Sequence, residues 1–145
     1  GSGTYWISAF APGITEVEAG GGIYGCVRYR KSFGVEVESA LTVLSTVTSR
    51  PTADRIICDA GFKAAGNVSP DPELRDISDC ASIKFSAEHG IITLSKGTPQ
   101  PRVGDTIEFV PGYSDSAIFL HEYLYGVRDG LVETVWPVIG RGKLQ

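Results

Sequence analysis

At 145 residues the chain is long enough for one domain with a real core and too short for two. Its 42% hydrophobic and 21% charged content is that of an ordinary globular protein, and a net charge of −4 with no Lys/Arg block excludes an electrostatic footprint for nucleic acid. No apolar run approaches the ~18 residues of a membrane span. Cys26, Cys58 and Cys80 are odd in number and form no CxxC pair, which argues against a disulfide framework or a thiolate zinc site. With no basic and apolar export leader, free thiols in a reducing cytoplasm are the expectation.

Short β-branched runs bounded by turn residues dominate the chain. Leu41 to Thr48 is predicted as a strand with Leu41, Val43 and Val47 on one face. Arg55 to Asp59 is predicted as a buried strand ended by Ala60-Gly61. The segment 66–80 is polar, carries prolines and reads as a long surface excursion. Ile83 to Ser86 and Ile91 to Leu94 flank a bend at Glu88-His89-Gly90, and Thr106 to Val110 is stopped by Pro111-Gly112. A short helical turn is expected after Ser114 or Asp115, either of which could cap it. Leu124 to Arg128 and Leu131 to Trp136 flank Asp129-Gly130, whose residue types suit a two-residue type I′ hairpin. Helical periodicity is otherwise nearly absent. The fold class is therefore all-β, a mainly antiparallel barrel or strongly curved sheet with short helical turns, because an open sheet of this many short strands would leave long edges.

The most informative stretch is Pro111-Gly112-Tyr113-Ser114-Asp115 followed by Leu120-His121-Glu122-Tyr123. It resembles the metal-site signature of the D-threonine aldolase and D-serine dehydratase family, Pro-x-His-x-Asp or Pro-x-His-x-Cys. That family consists of pyridoxal phosphate (PLP) lyases of the alanine racemase-like fold type III. The resemblance extends through Gly13 to Val17, Gly20 to Tyr24, Val47 to Pro51, Asp59 to Ala64, Glu88-His89-Gly90, Gly104-Asp105, Val132 to Pro137 and Arg141-Gly142-Lys143. It implies the C-terminal domain of a TIM-barrel-plus-β-domain enzyme acting on β-hydroxy D-amino acids. Residues 1–12 would be the end of the PLP phosphate loop and a linker, and 13–145 the β-domain. Gly1, Ser2, Gly3, Thr4 and Tyr5 then resemble the loop whose backbone N–H groups approach the phosphate, with the Thr4 hydroxyl adding a bond. Gly1-Ser2 also reads as a cloning remnant.

The resemblance further implies that the PLP lysine lies in a barrel outside this sequence, and that Lys63 is not that residue. The chain alone should then be inactive. It would be a truncated piece, a fragment, or one subunit of a split enzyme, working in a homodimer or composite assembly on a small D-amino acid. Asp115 matches the carboxylate ligand of aldolase-type members, which use hard ions such as Mn or Mg, whereas a cysteine would suggest zinc and dehydration. Tyr113 stands where the family has histidine. A neutral phenol is a poor ligand for Mn, Mg or Zn, so Asp115 alone would hold a divalent metal weakly. Three readings stay open for Tyr113: an acid/base group, a loop aromatic, or a bystander to an ion shared with another chain. A racemase or other metal-free PLP reaction, and a non-catalytic β-barrel module, stand as alternatives. Around this centre, His89 is a candidate catalytic residue. His121, Glu88, Asp59 and Lys63 are candidates for supporting roles, with Asp59 and Lys63 expected to pair and His121 either facing the pocket or bonding a backbone carbonyl.

Overall fold

The computed structural model describes residues 3–143. Three short helical turns open the chain: α1 (Tyr5–Ser8), α2 (Gly20–Tyr24) and α3 (Val27–Lys31). Strands β1 (Val43–Thr52) and β2 (Arg55–Cys58) lead to α4 (Phe62–Ala65), then to β3 (Glu73–Leu74), β4 (Cys80–Phe85), β5 (Gly90–Leu94) and β6 (Thr106–Val110). Helix α5 (Ser114–Ile118) and the hairpin β7 (Tyr123–Arg128) and β8 (Leu131–Pro137) complete the order.

Six strands form one antiparallel sheet in the order β3-β6-β1-β2-β5-β4. Its two edge strands, β3 and β4, are consecutive in the chain. The short connection between them draws the edges toward each other, and Ile77 within it packs on the core. The sheet is thereby curled into a nearly closed barrel, which limits the exposed edge that an open sheet would present. Burial alternates with period two along each strand: Val43, Ser45 and Val47; Ile56 and Cys58; Ile92 and Leu94; Ile107 and Phe109 all face inward. Phe85 meets Phe109 edge to face, with ring centroids 5.5 Å apart.

The predicted strands are present, and their class is as expected. The segment 66–80 is less free than its composition suggests, since it contributes β3 and the core residue Ile77. Helices α1 to α4 were not anticipated, because the glycines of Gly20-Gly21-Gly22 and the cations of α3 hide any apolar period. The expected cap is also corrected. Tyr113 occupies the N-cap position of α5, and no side chain caps that helix. Asp129 and Gly130 both have positive φ, 50° and 76°, as a type I′ turn requires. The β7–β8 hairpin forms its own two-stranded sheet, joined to neither edge of the main one.

Candidate functional site

The candidate residues gather at one end of the barrel. There β1 begins, β2 and β6 end, and the β4–β5 bend lies, because the register pairs Val43 with Phe109, Val47 with Cys58, and Gly90 with both Cys58 and Phe85. The segment after β6 is held tightly. A Cβ on Gly112 would collide with the carbonyl oxygen of Pro70, so only glycine fits where these two backbones cross. The Pro111 carbonyl accepts the Val27 N–H at 3.1 Å, and the Gly112 carbonyl accepts the Arg28 N–H at 2.9 Å. Helix α3 is thus fixed to the strand end that presents Tyr113.

Tyr113 has extended backbone, and its carbonyl accepts the Ser116 hydroxyl at 2.8 Å. Its ring packs against a small cluster of Cys26, Tyr29 and Val35, together with Tyr5 and Val37. The Arg28 guanidinium lies over the ring, 4.7 Å from its centroid. Asp115 stands beside the phenol. Hydrogen bonding to that carboxylate, then burial and the carboxylate's charge, push the Tyr113 hydroxyl up to about 12, against a smaller opposing pull from Arg28. Tyr113 is therefore a neutral hydrogen-bond donor at physiological pH.

Of the residues that the sequence suggests as the end of a phosphate loop, Tyr5 packs on the same cluster as Tyr113 and rests on Gly22, where a Cβ would press on its ring. The Thr4 carbonyl accepts the N–H groups of Ile7 and Ser8 at 2.9 and 2.8 Å, and its hydroxyl accepts that of Ser8 at 3.2 Å. Gly3 faces the ring of Phe33. Gly1 and Ser2 lie outside the described residues.

A second group surrounds α4. Gly61 packs so closely on the Ser86 and Ala87 carbonyl oxygens that a Cβ would strike both. Those carbonyls accept the N–H groups of Phe62 and Lys63 at 2.9 and 3.2 Å. The expected Asp59–Lys63 ion pair does not form. Asp59 turns back onto β1, where it accepts the Ser45 hydroxyl and the Thr46 N–H, each at 2.8 Å. Burial raises its pKa, but these bonds outweigh it and hold the carboxyl below the ordinary value. Lys63 instead pairs with Glu88 across the docked bend. His89 is exposed in that bend, its backbone bonded to Ser86. The His121 Nε2 lies 2.8 Å from the Ala64 carbonyl, which fixes the segment after α5 to α4. Thus Tyr5 and Tyr113 pack on one cluster with Asp115 beside Tyr113, Lys63, Glu88 and His121 brace the neighbouring α4, and Asp59 is turned away onto β1.

Arg28 escaped the sequence reading. The run Val27-Arg-Tyr-Arg-Lys31 shows three cations, but nothing local distinguishes them. The fold does: Arg30 and Lys31 both reach Glu73 at 2.7 Å, whereas Arg28 makes no ion pair among the described residues.

The donor set does not suit a divalent metal within this chain. Asp115 is a single carboxylate, Tyr113 is a protonated phenol, His121 is bonded to a carbonyl, and no group of three His, Cys, Asp or Glu side chains converges among the described residues. Nor do the described residues make a complete PLP site: Lys31 and Lys63 are held by Glu73 and Glu88, and Gly3 and Thr4 could furnish only part of a phosphate cradle. Two grooves of about 600 and 670 Å³ lie at the opposite end of the barrel. In the first, Arg50 is occupied with the carbonyls of Ala53, Thr98 and Pro101. No helix among the described residues is long and apolar enough to cross a membrane.

Residues 40–127 match the family described as "Putative serine dehydratase domain". The chain is 32% identical to a D-threonine aldolase from Arthrobacter sp, over 98% of this chain and 38% of that protein. It is 40% identical to a 3-hydroxy-D-aspartate aldolase from Paracoccus denitrificans, over 74% of this chain and 27% of that protein. The crystal structure of D-threonine aldolase from Filomicrobium marinum superposes with a TM-score of 0.76 at 27% identity, covering 84% of this chain and 35% of that one. The chain therefore spans between about a quarter and two fifths of the length of these three relatives, 38%, 27% and 35%.

Proposed function

The chain belongs to the serine dehydratase domain family, and from that membership we propose that it is the β-domain of a PLP-dependent lyase that cleaves β-hydroxy D-amino acids in the cytoplasm. Residues 1–12 serve as the end of the phosphate loop and a linker, and 13–145 as the β-domain. The observation that carries this reading is that Tyr5, from the segment read as the phosphate loop, and Tyr113, from the signature segment, pack against the same cluster of Cys26, Tyr29 and Val35, with Asp115 beside Tyr113. A barrel carrying the PLP lysine completes the site, as one domain or one partner chain of a dimeric or composite assembly. Electron withdrawal from the substrate belongs to the cofactor on that barrel. This chain's part is to shape the wall against which the substrate hydroxyl lies. Tyr113 offers that hydroxyl a neutral donor, Asp115 an acceptor, and His89 stands at the rim of the same barrel end.

Aldolase cleavage is favoured over dehydration because the second ligand position is Asp115 rather than a cysteine, and because both curated relatives named above are aldolases. A metal-free reaction on the same scaffold is the second reading, favoured by the protonated Tyr113 where an imidazole ligand would be needed. The test joins this chain to a barrel carrying the lysine and supplies D-threonine or 3-hydroxy-D-aspartate. Release of glycine and an aldehyde by the assembly, and none by the chain alone, is the expected outcome. Ammonia as the product would point to dehydration, and turnover by the isolated chain would overturn the composite site.

A further inference from the structure

The geometry points to Arg28 as a carboxylate-binding residue of this site, a cation held over Tyr113 with its N–H rim left for a ligand. The inference rests on the reading of Tyr113 and Asp115 as one wall of a substrate site.

Three observations carry it. The backbone of Arg28 is pinned, its N–H bonded to the Gly112 carbonyl at 2.9 Å, so the side chain leaves α3 from a fixed point beside the signature segment. Its guanidinium is also placed, 4.7 Å from the Tyr113 ring centroid. A guanidinium whose carbon lies over a ring can still turn N–H groups of its fork to a planar anion in bidentate fashion. No protein carboxylate takes that rim among the described residues, although acidic residues outnumber basic ones 17 to 13 and the two neighbouring cations, Arg30 and Lys31, share Glu73. A half-buried arginine that lies over a ring, is anchored by its backbone and has no counter-ion among the described residues is preorganised for a ligand anion, so less entropy is lost on binding.

The anion that fits is a carboxylate, and it has two possible sources in a β-hydroxy amino acid: the α-carboxylate common to all of them, or a second one on the side chain. Arg28 lies over the Tyr113 ring and Asp115 stands two residues on at the start of α5, so a ligand can offer a hydroxyl to the acidic side and a carboxylate to the basic one.

The first measurement uses the 145-residue chain and does not depend on turnover. Malonate and acetate are titrated at constant ionic strength while the Arg28 Nε–H and Tyr113 ring resonances are followed. Saturable shifts of both are expected. Arg28→Lys keeps the charge but loses the fork, and should weaken the effect at least roughly tenfold, the loss expected for a charge-assisted bond. Arg28→Gln should abolish it, while Arg128→Gln, in a surface pair with Glu133, should leave it unchanged. Absence of saturable shifts in the unaltered chain, or equal affinity in the Lys and Gln variants, overturns the proposal. In the assembled enzyme, Arg28→Lys should raise KM for both D-threonine and 3-hydroxy-D-aspartate if the α-carboxylate is bound, and for the dicarboxylate alone if the side-chain group is bound. An unchanged KM for both overturns it. An assembly without lyase activity would sink the functional reading and leave the titration result standing.

Discussion

Tyr113 sits between two opposite charges, with the Arg28 guanidinium on its face and the Asp115 carboxylate at its hydroxyl. The carboxylate wins, because it meets the ionising oxygen while the guanidinium meets the ring. The phenol is raised from 10.0 to about 12, so its contribution to stability is complete below pH 10 and is lost as pH rises from 10 toward 12. An alkaline difference titration of the chain against Tyr113→Phe should show one phenolate appearing at that upper limit. In the assembled enzyme the same variant keeps the ring and its stack but removes the donor. Turnover should fall by about 10²–10⁴-fold, the range for a positioned acid or base. Unchanged turnover would reduce Tyr113 to packing. Tyr113→His should raise divalent-metal affinity by at least about 10-fold, since even groups that merely orient ligands are worth that much.

The elements that build the site are short, and close backbone crossings rather than helix length hold them in place. Helices α3, α4 and α5 have five, four and five residues, too few to be stable alone. Each is tied down from outside: α3 through the Pro111 and Gly112 carbonyls, α4 through the Ser86 and Ala87 carbonyls, and α5 through the contact of Gly66 with Ser116. Gly112 is the most constrained of these crossings. Gly112→Ala should cost about 1–3 kcal/mol, as overpacking against an unyielding backbone does, read as a shift in the urea midpoint. Gly140→Ala, where a Cβ would meet nothing, should stay within about 0.5 kcal/mol. Equal midpoints for the two variants would show that the Pro70 carbonyl can move aside.

At the scale of the whole molecule, the apolar surface is unevenly spread. The β7–β8 hairpin exposes Tyr125 at 62%, Val127 at 61%, Val135 at 48% and Trp136 at 54%, and the N-terminal segment exposes Phe10 at 86%. Tyr125 and Val135 are cross-strand partners and so share a face, while Trp136 covers Gly126 on the other. A two-stranded hairpin is marginal by itself, and a contiguous apolar face of this kind marks an interaction surface. On the proposed reading, in which a barrel carrying the lysine completes the site, that barrel is the body expected to cover it. Replacing Tyr125 and Val135 together by Lys should weaken binding to the barrel chain at least roughly tenfold without changing the β-type circular dichroism. Binding unaffected by both charges would place the interface elsewhere.

Chain-local physics made much of this legible in advance. Short β-branched runs bounded by turn residues located the strands of the barrel, because branched side chains suit a pleated surface and turn residues end it. Asp129-Gly130 announced its turn, because few residues accept positive φ in succession. The spaced motif around Tyr113 and Asp115 announced the family. What only the tertiary structure decided were partnerships between distant segments. Asp59 lies near Lys63 in sequence, yet it bonds to β1 because the strand end aims it there, and Lys63 is carried by α4 to Glu88. His121 was left between two readings, and the fold set it against the Ala64 carbonyl. Arg28 was indistinguishable from Arg30 until α3 docked on Gly112 and placed one cation over Tyr113 and the other on Glu73. Sequence pattern encodes which face of an element is buried, whereas the partner of a charge depends on which backbones cross, and that is settled only when the sheet closes.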